Sequence, residues 1–383
     1  MTITNPILAI AKDYGQSIWM DNLSRDLIAS GQLKELIASR GICGITSNPA
    51  IFEKAIAGNK IYDADIAAGI KAGKSITEIY ESLVFDDIRA ACDIFKPVYD
   101  ATEGQDGYVS IEVPPTIAKD TDTTIREARR YAEAIGRENV MIKIPGTPEG
   151  LPAVTATIAA GISVNVTLLF SVQSYIETAW AYIAGLEQRA AAGHEIGSIK
   201  SVASFFLSRI DSNIDDRLDA KLAAGVDEAT AAKLQGLKGK IAIANAKIAY
   251  QKYKEIFSSD RWQALVAQGA TVQRLLWAST STKNPTYSDV MYVDELVGPN
   301  TVNTLPPNTI EACADHCDPA NRIETDLSTA EGAIATLADP DVAIDLDAVM
   351  DELLAEGIDK FVKPFESLMD SLAAKVDQLA PVP

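Results

Sequence analysis

Short apolar runs rich in Val and Ile recur along the chain, and each is followed by a stretch whose apolar residues return at helical spacing. The runs fall at residues 17–21, 41–47, 108–113, 140–144, 162–168, 199–205, 271–279 and 289–293, eight in all. Between them, Ile125, Ala128, Ala132 and Ile135 share one helix face, with Asp122 and Thr123 as cap candidates and Gly136 as the stop. Val172, Tyr175, Ile176, Ala179, Ile183 and Leu186 repeat that face one unit later. Strand and helix alternating through short connections imply parallel strands joined by right-handed crossovers. Eight such units favour a closed (β/α)8 TIM barrel over an open doubly wound sheet. No GxGxxG opens any of the helices, which argues against a dinucleotide-binding fold.

The expected organisation is one barrel domain over residues 1–383, with helical insertions near 53–106 and 206–270 and a helical C-terminal region at 308–383 after Pro306 and Pro307. Pro364 interrupts the last of these helices, and the Ala-rich patch at 218–234 is expected to be an exposed helix. Residues 150–176 carry no charge, yet Pro152, Gly161, Ser163, Asn165 and Thr167 divide them into a helix, a turn, a buried strand and the start of another helix. That is a barrel interior, not a bilayer segment.

Composition adds exclusions. The chain is 47% hydrophobic and 23% charged, which fits a globular enzyme with a large core. A net charge of −19 repels phosphate backbones and anionic membrane surfaces, so neither nucleic acid nor membrane is an expected partner. An anionic metabolite would need a few cations placed locally. The four cysteines, Cys43, Cys92, Cys313 and Cys317, are few, and no basic segment followed by an apolar core opens the chain; the expected location is the cytoplasm. Either a monomer or a homodimer is compatible with these features.

One position stands out chemically. In Val140-Met-Ile-Lys143-Ile-Pro-Gly-Thr147 a lone lysine interrupts an apolar strand that ends in a turn. An amine with an ordinary pKa of about 10.4 is charged at neutral pH, but burial disfavours the charge, and a neutral amine attacks ketones to form an imine. The alternative is a lysine at a strand end that extends to solvent. Other polar residues also collect near strand ends, where barrel active sites lie: Asp21, Thr46, Asn48, Glu112, Asn165, Thr167, Ser204 and Ser279. Each alone is compatible with a cap or turn. Only two histidines exist, His194 and His316, so a Ser-His-Asp triad has little support and acid/base work falls to Glu112 and Asp21. Cys313, His316 and Cys317 lack the second half of a zinc site and read as ordinary helix positions, so no metal is expected.

Six motifs in order then give a resemblance over nearly the whole chain: Ile-Thr-Ser-Asn-Pro (45–49), Ser-Ile-Glu-Val (110–113), Ile-Lys-Ile-Pro-Gly-Thr (142–147), Asn-Val-Thr-Leu-Leu-Phe (165–170), Ser-Phe-Phe-Leu-Ser-Arg-Ile-Asp (204–211) and Trp-Ala-Ser-Thr-Ser-Thr-Lys-Asn (277–284). The sequence resembles the transaldolases, in particular the longer bacterial type. The resemblance implies cofactor-free transfer of a dihydroxyacetone unit between sugar phosphates. In that scheme Lys143 forms the Schiff base, Glu112 with Thr167 and a water shuttles protons, and Asp21 takes the C4 hydroxyl proton. Asn48, Asn165 and Ser204 match positions that bind the hydroxyls of the unit, Thr46 matches a neighbour of the site, and Arg209, Ser279 and Lys283 match the phosphate end. Lys283 follows Ser279 by four residues, whereas shorter transaldolases carry an arginine sooner. Phe205 and Ser208 replace a proline and a glycine, and residues 360–366 are similar to the family's terminal helix. Two other readings stand beside transfer: an aldolase that releases the three-carbon product to water, disfavoured by Glu112 where that branch has glutamine, and a non-catalytic sugar-phosphate-binding barrel.

Overall fold

The computed structural model of the protein describes residues 5–379. Its strands are β1 (Gln16–Asp21), β2 (Gly44–Thr46), β3 (Tyr108–Glu112), β4 (Val140–Pro145), β5 (Val164–Leu169), β6 (Ser201–Phe206), β7 (Arg274–Ala278) and β8 (Thr301–Leu305). Each lies parallel to the next, and β8 pairs with β1 to close the barrel. Both faces of these strands are covered, so they read in sequence as continuous apolar runs without clean alternation. This is the (β/α)8 fold expected from the eight repeats.

Seven of the eight apolar runs overlap a strand; the last does not. Met291–Glu295 is a short helix, and β8 lies ten residues further on. Val290, Tyr292 and Val293 are buried in either geometry, which is why periodicity over so few residues misleads. The turn before β8 decides the matter: Asn300 adopts φ +56°, and its N–H donates to the Gly15 carbonyl at 3.1 Å. That bond sets Gln16 opposite Thr301, and the two strands zip from there.

Helix signals follow their chemistry with small corrections. The helix Thr121–Ile135 is capped by Asp120, two and three residues ahead of the expected Asp122 and Thr123, because the Asp120 carboxylate accepts from the Thr123 N–H at 3.0 Å. It stops at Gly136 with φ +60°, as expected. The Ala-rich patch belongs to two helices, Ser208–Ala224 and Glu228–Leu237, divided at Gly225, whose φ is +85°. Residues 150–176 do form a helix, a turn, the buried β5 and the start of Val172–Ala191. No helix among the described residues is long and apolar enough to cross a membrane.

Two features position the mouth of the barrel. At the end of β5 the pairing with β6 shifts between Val166 and Leu169, and Leu168 takes φ +61°, a bulge that reshapes the strand beside Thr167. The C-terminal helix Leu346–Leu379 lies across the C-terminal ends of the strands, packing on β5 and on the helices Pro49–Ile56, Ile76–Ala101 and Ser208–Ala224. The opposite end is closed by a buried ionic plug. Arg274 pairs with Asp106 at 3.0 Å and donates to Ser17 at 2.7 Å, while Ser17 and Trp19 donate to Asp106.

Candidate active site

Strand parity sends Asp21, Thr46, Glu112, Lys143, Asn165, Thr167 and Ser204 into the barrel, near the C-terminal ends of their strands. Register then sets neighbours. Glu112 stands beside Lys143 across β3 and β4, Lys143 beside Asn165 across β4 and β5, and Asp21 beside Thr46 across β1 and β2. The inward lysine is 4% exposed, which removes the alternative of a side chain reaching for solvent.

The Lys143 Nζ lies 3.6 Å from Glu112 Oε2, donates to the Ser47 carbonyl at 3.2 Å, and faces the Phe361 ring at 5.4 Å from its centroid. Neither carboxylate oxygen of Glu112 accepts a hydrogen bond from the described residues. Burial therefore dominates and pushes the Glu112 carboxyl up to about 7, against the opposing pull of the Lys143 amine. A carboxyl so placed can hold or release a proton at neutral pH. Asp21 is raised too, again chiefly by burial, with Lys143, the Thr46 hydroxyl and Arg209 pulling the other way. Thr46 donates to Asp21 at 2.7 Å and lies 2.7 Å from the Thr304 hydroxyl, so the Asp21 carboxylate is held from one side.

Hydroxyl and amide groups continue around the ring. Ser204 donates to Asn165 Oδ1 at 2.7 Å, and Asn165 donates to Ser110 at 3.1 Å. The Thr167 hydroxyl is buried with no partner among the described residues. Asn48 caps the helix Pro49–Ile56 through its carbonyl, which accepts from the Ile51 N–H at 3.1 Å, so the cap and the cavity wall are served by one side chain. Together Asp21, Thr46, Asn48, Lys143, Thr167 and Ser204 line a cavity of about 80 Å³, with Glu112 and Asn165 packed directly behind.

At the far wall of the same cavity are Arg209 and Ser279. Arg209 opens the helix after β6; its Nη1 is buried with no hydrogen-bond partner among the described residues. Ser279 sits at the end of β7 with φ +55° and lies 2.9 Å from the Ser208 hydroxyl. Backbone strain of this kind costs of order 1–3 kcal/mol and gathers at functional sites. Lys283 is not brought into this wall. It borders a neighbouring hollow of about 350 Å³ with Asp211, Asp215, Asp216 and Asp219, close enough to Arg209 for their charges to repel.

Sequence reasoning missed four lining residues, one of them Ala278, the last residue of β7 and the neighbour of the expected Ser279. Phe206 shares the inward parity of Ser204 two positions earlier and was findable by that rule. Thr304 was hidden by the misplaced eighth strand. Phe361 comes from the C-terminal helix, to which local pattern assigned no role. Cys313 and Cys317 are buried, while His316 turns outward to Asp289 and Asp315, and no metal-binding cluster exists among the described residues.

Fold and site together define a (β/α)8 barrel whose C-terminal mouth holds a buried lysine amine against a carboxyl, a ring of hydroxyls and amides, and an arginine with no salt bridge among the described residues. The chain matches the transaldolase/fructose-6-phosphate aldolase family over residues 18–372, and it belongs to that family. It is 70% identical over 380 residues to the transaldolase of Trichodesmium erythraeum, covering 99% of this chain and 100% of that protein. Identity is also 70% over 379 residues to transaldolase 2 of Nostoc sp. (99% of each chain), and 47% over 376 residues to the transaldolase of Saccharopolyspora erythraea, covering 98% and 99%.

Proposed function

We propose that the protein is a transaldolase, a transferase that moves a dihydroxyacetone unit from sedoheptulose 7-phosphate to glyceraldehyde 3-phosphate, giving erythrose 4-phosphate and fructose 6-phosphate. The observation that carries this reading is the buried pair of Lys143 and Glu112, 3.6 Å apart, with Arg209, whose Nη1 has no partner among the described residues, across the same cavity.

The Lys143 amine adds to the ketose carbonyl, and the carbinolamine loses water to become an imine. Glu112, poised near neutrality, delivers the proton that lets hydroxide leave as water; Thr167, without a partner among the described residues, holds the water that relays it. Asp21 then accepts the C4 hydroxyl proton as the C3–C4 bond breaks, and the bonding electrons move into the imine to give an enamine. The first aldose phosphate departs. The enamine attacks the carbonyl carbon of the incoming aldose phosphate, Asp21 returns its proton, and hydrolysis of the new imine frees Lys143. Asn48, Asn165 and Ser204 bind the hydroxyls of the retained unit, and Thr46 fixes Asp21. Arg209 and Ser279 bind the phosphate, with Lys283 reaching it only by rotating from its present hollow. The reaction runs without cofactor, in the cytoplasm, in a monomer or a homodimer.

Borohydride with fructose 6-phosphate should leave a reduced three- or six-carbon adduct on the peptide carrying Lys143, read by mass spectrometry; an unmodified peptide would defeat the covalent mechanism. Steady release of dihydroxyacetone without an acceptor would instead assign the aldolase activity named in the family.

A further inference from the structure

Arg209 makes no salt bridge among the described residues, which raises the question of what holds a long cation at the cavity wall. Two rings do. Its guanidinium carbon is 5.1 Å from the centroid of Phe206 and 6.0 Å from that of Phe361. Guanidinium groups stack on aromatic faces, and such stacking restricts the side chain without using its N–H donors. Phe206 comes from β6, but Phe361 comes from the C-terminal helix Leu346–Leu379, some 150 residues away in sequence.

The helix is seated so that this contact is made. Gly357, Phe361 and Phe365 recur every four residues and form one face. A Cβ at Gly357 would stand 3.0 Å from Leu168 Cδ2 and 3.6 Å from Arg209 Nη1, so glycine lets the helix lie close against the β5 bulge. Phe365 packs edge-on against Tyr80 at 5.6 Å, fixing the next turn. Phe361, between them, is 4% exposed. Glu356, the nearest carboxylate influence on Arg209 from this helix, is engaged by Lys360 at 2.6 Å and leaves the guanidinium unclaimed.

We infer that Phe361 is a positioning residue that holds Arg209 in register for the substrate phosphate, making the C-terminal helix part of the phosphate end of the site. This rests on the reading of Arg209 as the phosphate ligand. A preorganised fork loses less freedom on binding, so affinity for a phosphorylated sugar is higher than an untethered arginine would give.

The test uses the imine-forming half-reaction on the full chain, without acceptor, by borohydride trapping at graded concentrations of fructose 6-phosphate and of unphosphorylated fructose. The measured quantity is the preference for the phosphorylated sugar, as the ratio of the two half-saturating concentrations. Phe361→Leu, which keeps apolar bulk and removes the ring, should lower that preference about fivefold, the scale of one lost cation–π contact. Phe361→Tyr should restore it, and in an Arg209→Met background Phe361→Leu should no longer change it. An unaltered preference in Phe361→Leu, or an equal drop in the Arg209→Met background, would overturn the inference. If the wild-type protein forms imine but shows no preference, or Arg209→Met leaves the preference intact, the phosphate reading of Arg209 fails instead.

Discussion

Lys143 and Glu112 illustrate how two residues of opposite ordinary charge can share a dry site. The carboxyl is pushed up to about 7 by burial and accepts no hydrogen bond from the described residues, so it gains little by being ionised. Removing the amine removes the main influence that lowers it. Lys143→Ala is therefore expected to abolish turnover and the borohydride adduct while the fold persists, since Glu112 can simply take a proton; circular dichroism and thermal melting check the second half. Global unfolding would make the lysine a structural element. Glu112→Gln should cut the rate of imine formation by roughly 10²-fold or more, the usual scale for a lost proton-transfer group. The pH dependence follows from the sign of the shift. As a general acid Glu112 works when protonated, below about pH 7, so the dehydration rate falls as pH rises through that value. The variant should lack this limb in single-turnover trapping across pH 5–9. These residues were legible in the sequence because strand parity and position are local properties; their 3.6 Å separation was not, since it depends on the pairing of β3 with β4.

At the scale of elements, the eighth strand shows where periodicity gives out. A five-residue run carries too few apolar positions to separate a buried strand from one turn of a buried helix, and Val290, Tyr292 and Val293 are buried just as Thr301–Leu305 are. Turn chemistry discriminates better. Asn300 in the left-handed region, tied to Gly15 across β1, launches β8. Asn300→Ala should cost about 1 kcal/mol, because a Cβ without a compensating polar group disfavours that conformation, and Asn300→Gly should recover it. Urea unfolding with an unchanged slope would establish this; equal stability of Ala and Asn at this position would place the strand's register in the ladder alone. Leu168 is the contrary case: it takes φ +61° at the β5 bulge, beside Gly357 of the C-terminal helix, and a Val-Thr-Leu-Leu run carries no signature of it.

The whole molecule separates its two ends. The plug of Arg274, Asp106, Ser17 and Trp19 closes the N-terminal end and the reacting groups occupy the C-terminal mouth, so stability and chemistry draw on different clusters. Arg274→Met leaves Asp106 buried without its cation and should cost about 3–5 kcal/mol, seen as a lowered melting temperature. Lys143 in the surviving folded protein should still trap fructose 6-phosphate at low temperature. Loss of trapping without loss of stability would couple the two ends. The net charge of −19 acts at this scale as well: it leaves the site's own cations to attract the substrate phosphate.

Sequence alone determined the barrel, the inward polar residues of six strands and the family, because periodicity, parity and motif order are properties of neighbours along the chain. Tertiary structure alone decided that Phe361 lies over Lys143 and Arg209, that Thr304 supports Thr46, and that Lys283 turns toward an acidic hollow. Those contacts join segments tens to hundreds of residues apart. Their geometry is set by the close seating of the C-terminal helix and the closure of β8 on β1, which no local pattern encodes.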